Sequence, residues 1–157
     1  MDSTKTTRKL LLEQLEGGNA HVDFKQAVLG ITYKQAGINV EGVPHTIWEL
    51  IEHIRIAQDD ILEFCKNPQY RAMDWPEDYW PQKSSPDNRE QFEESIKAVL
   101  DGVEEMRELV RDPDNDLQSI FDHGDGQTLF REAMLIVDHN AYHIGQIVMI
   151  RRLLGSW

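Results

Sequence analysis

The chain has 157 residues, 40% hydrophobic and 28% charged, which is typical of one globular domain, here residues 1–157. A formal net charge of -12 repels phosphate, and no cluster of basic residues offsets it, so nucleic-acid binding is disfavoured. Cys65 is the single cysteine and no run approaches the roughly 20 apolar residues of a membrane span, so we expect a cytoplasmic protein without a disulfide.

Apolar residues recur with the period of amphipathic helices in four long segments. The first covers residues 3–16 and ends at two glycines, and its run of three leucines is too short for a signal-peptide core. A shorter helical piece follows in HVDFKQAVLGI. The second long helix opens with Thr46-x-x-Glu49, which matches a capping box, and continues to about residue 65.

Residues 66–86 interrupt this pattern with four of the six prolines and two tryptophans. Aromatic residues in so long a loop predict that it folds back over the helices. We therefore expect Trp75, Tyr79 and Trp80 to be largely buried, since exposed they would form an apolar patch.

The second half of the chain predicts two further helices. One is preceded by Asp87-x-x-Glu90 as its capping signal, and the other covers roughly residues 128–154 after a polar connection. No segment alternates apolar and polar residues clearly enough to predict a β-strand. Four long helices in one small domain predict an all-α fold, a four-helix bundle.

The last helix carries His139 and His143 one helical turn apart, so both imidazoles lie on one face. This spacing is a good geometry for two ligands of one metal ion, but alone it is a weak signal, because two hydrogen-bonded core or surface histidines have this spacing more often. His53 lies in the second helix, on a mixed apolar face. Three histidines that meet between two helices favour a metal centre, and three-histidine ligation leaves positions open, as in catalytic sites.

The other motifs favour structural roles. We expect the remaining histidines, which lie outside the helices or at a helix start, to be solvated: His21, His45 and His123. DPDNDL, at 112–117, resembles the opening of a calcium loop but lacks its later glycine and glutamate, so we interpret it as a solvated loop. No activating motif accompanies Cys65, which favours a small buried hydrophobic residue over a nucleophile.

Three stretches resemble a known family: PHTIWELIEHIRIAQDDILEF, DWPEDYWP and TLFREAMLIVDHNAYHIGQIVMIRRLLGSW. They look like the DinB/YfiT-like bundles, a group of bacterial damage-inducible-type proteins, and the similarity covers nearly the whole chain. The resemblance implies a divalent metal ion, nickel or zinc first, on His53, His139 and His143.

The resemblance also implies a range of activities. Characterised relatives include thiol-dependent S-transferases that use bacillithiol, mycothiol or glutathione, others are described as metal-dependent hydrolases, and dimers are common. This implies a metal that lowers the pKa of a bound thiol or water. The chain itself shows no obvious basic cluster for an anionic thiol cofactor.

The leading hypothesis is a metal-dependent thiol S-transferase acting on a small molecule. A hydrolase and a non-enzymatic, stress-related metal-binding bundle are the alternatives. Tyr142, Gln146 and Asp60 are candidates for catalytic groups, substrate contacts or acceptors that orient the imidazoles. The flank of the last helix that carries Val137, Ile144 and Val148 needs a cover, which either the chain's own loops or a second chain could supply. The family resemblance favours a second chain, so we expect a homodimer through bundle helices.

Overall fold

The computed structural model describes residues 3–157, and its regular structure is helical apart from one isolated bridge between Ile120 and Thr128. The helices are α1 (Ser3–Glu16), α2 (Phe24–Val28), α3 (Tyr33–Ala36), α4 (Ile47–Lys66), α5 (Arg89–Arg111) and α6 (Leu129–Leu153), with a 3-10 turn at Glu77–Tyr79. The predicted all-α bundle is confirmed. Within residues 3–157, no helix has the length and apolar character needed to cross a membrane.

Side-chain caps fix where α4 and α6 begin. The Thr46 hydroxyl accepts a hydrogen bond from the Glu49 backbone N–H at 3.1 Å, and the Glu49 carboxylate accepts one from the Thr46 N–H at 2.7 Å. This reciprocal pair is the predicted capping box. Thr128 caps α6 by accepting from the Arg131 N–H at 3.2 Å.

The cap predicted for α5 is wrong by one residue. Asn88, not Asp87, accepts from a backbone N–H in the first turn, that of Gln91, at 2.9 Å. The Gln91 side chain in turn accepts a hydrogen bond from the Asp87 N–H at 2.7 Å. Asp87 therefore lies before the first residue of the helix. The Asp87 carboxylate is also occupied, because Lys83 donates to it at 2.7 Å.

The four long helices pack together, with α4 lying along both α5 and α6. Two clusters of buried apolar side chains hold them. One joins the first half of α4 to the second half of α6 and to α2, and the other joins α1 to the remaining halves of α4 and α6. Because α4 and α6 take part in both clusters, their facing surfaces are well fixed by packing.

The flank of α6 that was expected to need a second chain is covered by the protein's own α2. Ile144 is only 5% exposed and belongs to one buried cluster with Phe24 and Val28. Val148 is half-buried against this cluster, and Val137 is half-buried against the cluster that contains α1. The observation behind the dimer prediction therefore has an explanation within one chain.

The loop after α4 folds back as expected, but the burial predicted for its aromatic rings is wrong for Trp75. Tyr79 and Trp80 are half-buried, whereas Trp75 is 69% exposed. Its turn is closed by two bonds: the Asp74 N–H donates to the Asp78 carboxylate, and the Asp78 N–H to the Asp74 carbonyl, each at 3.0 Å. This turn presents the indole to solvent instead of packing it on the helices.

Candidate metal centre

The structure brings together the three histidines predicted as ligands. His53 comes from α4, and His139 and His143 come from successive turns of α6. Their nearest ring nitrogens all lie within 4.8 Å of one another, and the Nε2 atoms of His53 and His139 are 3.0 Å apart. The three rings therefore surround one point between the two helices.

Burial keeps these imidazoles neutral near pH 7. His53 and His143 are 2% and 6% exposed. Loss of solvation lowers the pKa of His139 to about 3 and that of His143 to about 4, and it also lowers the pKa of His53. The neighbouring imidazoles add to the decrease at His139. Neutral imidazole is the form that binds a metal ion.

Two of the three rings are oriented by an acceptor at Nδ1. His53 Nδ1 donates to the Tyr79 backbone carbonyl at 2.7 Å, and His143 Nδ1 donates to Gln146 Oε1 at 2.6 Å. A proton on Nδ1 leaves the Nε2 lone pair free as an acceptor. Both rings therefore keep an Nε2 lone pair, and metal-binding histidines are usually held in this way. The Nε2 of His53 lies at hydrogen-bonding distance, 3.0 Å, from His139 Nε2.

This donor set fits a divalent transition-metal ion. Imidazole nitrogens that bind one ion at about 2.0–2.1 Å lie about 3 to 3.5 Å from each other. The 3.0 Å separation between His53 and His139 is in that range. Imidazole ligands favour nickel, zinc, copper and iron over magnesium and calcium.

Trp80 supports His53 by ring stacking, and it also lies near an α6 histidine, with its ring 6.3 Å from that of His143 in an edge arrangement. Its ring is stacked on His53, with centroids 3.9 Å apart and planes 3° from parallel. The other face of Trp80 is stacked on His45 at 4.0 Å. The prediction of a solvated His45 is therefore wrong: the loop carries Trp80 onto its ring and leaves it half-buried.

Asp60 acts one step away from the histidines. Its carboxylate accepts hydrogen bonds from the Tyr79 hydroxyl at 2.6 Å and from the Tyr70 hydroxyl at 2.9 Å. Burial, followed by the bond to Asp60, raises the pKa of Tyr70 to about 12 and also raises that of Tyr79, so both phenols remain donors at neutral pH. Asp60 thus holds the loop residue whose carbonyl orients His53.

The other two candidate groups lie on the α6 side. Gln146 is the acceptor for His143 described above. Tyr142 is 67% exposed, and its ring lies 5.0 Å from that of His143 in an edge arrangement. Roles for Tyr142, Gln146 and Asp60 in a reaction remain predictions.

Comparison with known protein families gave a match. Residues 8–147 match the family model of the DinB superfamily. The chain belongs to the DinB superfamily. No curated protein and no solved structure matched the chain. The part of this DinB-superfamily chain that matches contains all three clustered histidines and the loop between α4 and α5.

The remaining histidines and the cysteine lie outside the site. His21 is exposed, as predicted. The prediction of solvation is wrong for His123, which is half-buried with Nε2 2.8 Å from the Phe64 carbonyl. Cys65 is partly buried against an apolar cluster, and burial raises the pKa of its thiol to about 12, as suits a packing residue.

The calcium-like run is a solvated loop, as expected. Its three aspartates are exposed: Asp112, Asp114 and Asp116. Among residues 3–157, the histidine cluster is the one group of potential ligands that converges on a point.

In this DinB-superfamily protein, the loop contributes more to the site than sequence patterns indicated. The Tyr79 carbonyl and the Trp80 ring were not predicted as parts of the centre. Every residue offers a carbonyl, so no sequence signal marks the one that reaches His53. The many aromatic residues in DWPEDYWP indicated that the loop packs on the helices. They did not indicate that Trp80 would stack on His53.

Proposed function

We propose that His53, His139 and His143 bind one divalent metal ion and that the protein is a metal-dependent enzyme. The observation that carries this proposal is the convergence of three ring nitrogens within 4.8 Å, from two buried histidines and one that is half-buried. Three protein ligands leave coordination positions for a small molecule, as in catalytic centres. A purely structural site would more often be closed by a fourth protein ligand.

The reaction we propose is thiol-dependent S-transfer. A bound divalent ion would supply Lewis acidity, which lowers the pKa of a thiol or of water. The chain's own residues hold the ligand rings: the Tyr79 carbonyl fixes His53, and Gln146 fixes His143. The same arrangement serves a hydrolase, in which water takes the place of the thiol.

An activity panel on metal-loaded protein tests this proposal. Nickel- and zinc-loaded samples are incubated with several low-molecular-weight thiols and a set of electrophiles, and with ester and amide substrates without thiol. We expect S-conjugates that form only with metal and are lost in His143→Ala. Hydrolysis without thiol supports the alternative reaction, and metal binding without either product supports a non-enzymatic role.

The exposed residue His21 supplies the matched control. His21→Ala removes an imidazole far from the cluster in sequence and should retain metal and activity. Equal loss in His21→Ala and His143→Ala would mean that the effect reflects general damage and not the proposed site.

We further propose that the protein is a homodimer, through the exposed end of α6 rather than the flank first expected. Met149 and Leu153 are each 57% exposed and lie one turn apart, and Trp157 beyond them is 48% exposed. Apolar side chains that share one face favour association with a second copy, most simply by two-fold symmetry.

Sedimentation at micromolar concentration tests the dimer. We expect twice the 18.2 kDa chain mass for the wild type and a shift towards monomer in Met149→Glu. Met134→Glu is the control, because Met134 is exposed at the other end of the same helix. A single wild-type species at monomer mass contradicts the proposal.

A further inference from the structure

Two exposed aromatic rings flank the histidine cluster, one from the loop and one from α6. Trp75 is 69% exposed, with its ring 6.5 Å from the His53 ring. Tyr142 is 67% exposed, with its ring 5.0 Å from the His143 ring. Neither ring is needed to fill the core. Exposed aromatic side chains next to a cluster of polar ligands are typical of a surface that contacts a bound molecule.

The segments that carry these rings also carry carboxylates. Asp74 and Asp78 close the turn that presents the exposed indole, and Glu77 lies between them in sequence; all three are exposed. On α6, Asp138 is exposed four residues before Tyr142, a spacing that places both on one helix face. Each of the two rings is therefore accompanied by negative charge.

Basic side chains are rare in the same segments. Residues 72–82 and residues 132–150 contain no lysine or arginine. Before its final lysine, α4 contains one basic residue, Arg55, which donates to Glu52 at 2.9 Å and to Asp59 at 2.8 Å. Apart from a metal ion on the histidines, the helices and loop that form the site therefore offer few cationic side chains to an anionic ligand.

Two of the four basic residues that border these segments are paired with carboxylates, and a third, Arg151, donates to the backbone carbonyls of Ala27 and Ser156 at 2.8 and 2.6 Å. Lys83 donates to Asp87 at 2.7 Å, and Arg131 donates to Glu132 at 2.7 Å. Arg71 is exposed just before the loop segment. A metal ion on the three neutral imidazoles would add two positive charges at the cluster itself; beyond it, the charged side chains nearest in sequence to the two rings are mainly carboxylates, which attract cations and repel anions.

We propose that the substrate of the histidine site is an organic cation whose ammonium group lies against Trp75 or Tyr142. This rests on the proposed function, because it concerns the molecule that the same centre would act on. An ammonium group over an indole or phenol ring gains a factor of about 2 to 30 in affinity. In an S-transfer reaction, a thiol or electrophile with an ammonium group is then favoured over a carboxylate-rich thiol.

Three probes of similar shape and different charge test the proposal on zinc-loaded protein. They are benzyltrimethylammonium, benzyl alcohol and phenylmethanesulfonate, and binding is measured by calorimetry at low ionic strength. We expect the cation to bind about tenfold or more tightly than the sulfonate, with the alcohol between them. The difference should shrink as salt is added, because exposed charges are screened.

Matched variants assign the effect to the two rings. At least one of Trp75→Ala and Tyr142→Ala, each checked for folding by circular dichroism, should reduce cation affinity by about three- to tenfold and leave the alcohol less affected. Leu29→Ala removes an exposed apolar side chain at the end of α2 and should change neither. The double variant Asp74→Asn/Asp78→Asn should reduce the difference in affinity between the cation and the sulfonate.

The outcomes separate this inference from the proposed function. Equal or tighter binding of the sulfonate overturns it, and so does a cation preference that survives in both Trp75→Ala and Tyr142→Ala. Zinc content is measured on the same samples. Zinc bound through the histidines without charge preference rejects only the inference, whereas cation preference without any zinc rejects the metal centre.

Discussion

The two acceptors that orient the clustered histidines come from different kinds of structure. Gln146 follows His143 by three residues in α6, so ring and acceptor lie on one helix. Tyr79 follows His53 by 26 residues, and it is the backbone carbonyl that reaches the ring. The first bond depends on helix geometry alone, whereas the second depends on how a long loop folds back.

This difference divides the centre into a rigid part and a loop-dependent part. The α6 pair is held by helix packing in both apolar clusters. His53 has a rigid backbone in α4, but its ring depends on the Tyr79 carbonyl, the Trp80 stack and, through Tyr79, on Asp60. Movement of the loop would release one ligand ring and leave two in place.

Removing the helix-borne acceptor should have the largest effect among the supporting residues. Gln146→Leu leaves His143 Nδ1 without its acceptor, and such losses usually cost about 10- to 100-fold in metal affinity. Competition with a zinc-binding dye measures it. Gln118→Leu, at an exposed glutamine in the connection to α6, is the control and should bind zinc like the wild type. Unchanged affinity in Gln146→Leu would mean that this bond does not orient the ligand.

Helix-borne features were the part of the site that sequence could predict. The capping residues and the apolar period placed α4 and α6, and the spacing of His139 and His143 placed both rings on one face. Gln146 was a candidate because it shares that face. The Tyr79 carbonyl and the contact of Trp80 with His53 and His45 were not predictable, because a loop without a repeating pattern encodes no register against the helices.

Loss of the stacked indole should have the next largest effect. Trp80→Ala removes a ring that covers one face of His53, and stacking of this kind contributes about 0.5–1.5 kcal/mol, or up to about tenfold in affinity. Zinc affinity should fall by about that factor while the α6 histidines remain in place. Leu29→Ala, at an exposed apolar residue after α2, is the control, and the same loss in both variants would argue against a specific role for Trp80.

The hydroxyl of Tyr79 should have a smaller effect, because it acts through the loop. Tyr79→Phe removes one hydrogen bond to Asp60, and we expect zinc affinity to fall about three- to fivefold as the carbonyl becomes less well fixed. Tyr70→Phe removes the second hydrogen bond to the Asp60 carboxylate. The Tyr70 carbonyl does not contact His53, so this variant should bind zinc with wild-type affinity. An equal loss of zinc affinity in the two variants would mean that the effect depends on Asp60 and not on the position of the Tyr79 carbonyl.

The stability of the metal-free protein should depend on pH through the buried imidazoles. In the folded state the pKa values of these imidazoles are lowered from the usual 6.5, to about 3 for His139 and about 4 for His143. In acid, the unfolded chain therefore binds more protons than the folded chain. The free energy of unfolding should therefore decrease as the pH falls from about 6.5 towards about 3. Urea unfolding at several pH values measures this, and His139→Gln should flatten the dependence. A wild-type curve no steeper than that of the variant would contradict it.

The central claim is that three imidazoles from α4 and α6 hold one metal ion. The most direct test is X-ray absorption on zinc-loaded protein together with the zinc content of His53→Ala/His139→Ala/His143→Ala. We predict one zinc per wild-type chain with three imidazole nitrogens at about 2.0–2.1 Å, and no stoichiometric zinc in the triple variant. Stoichiometric zinc that persists in the triple variant would contradict the account.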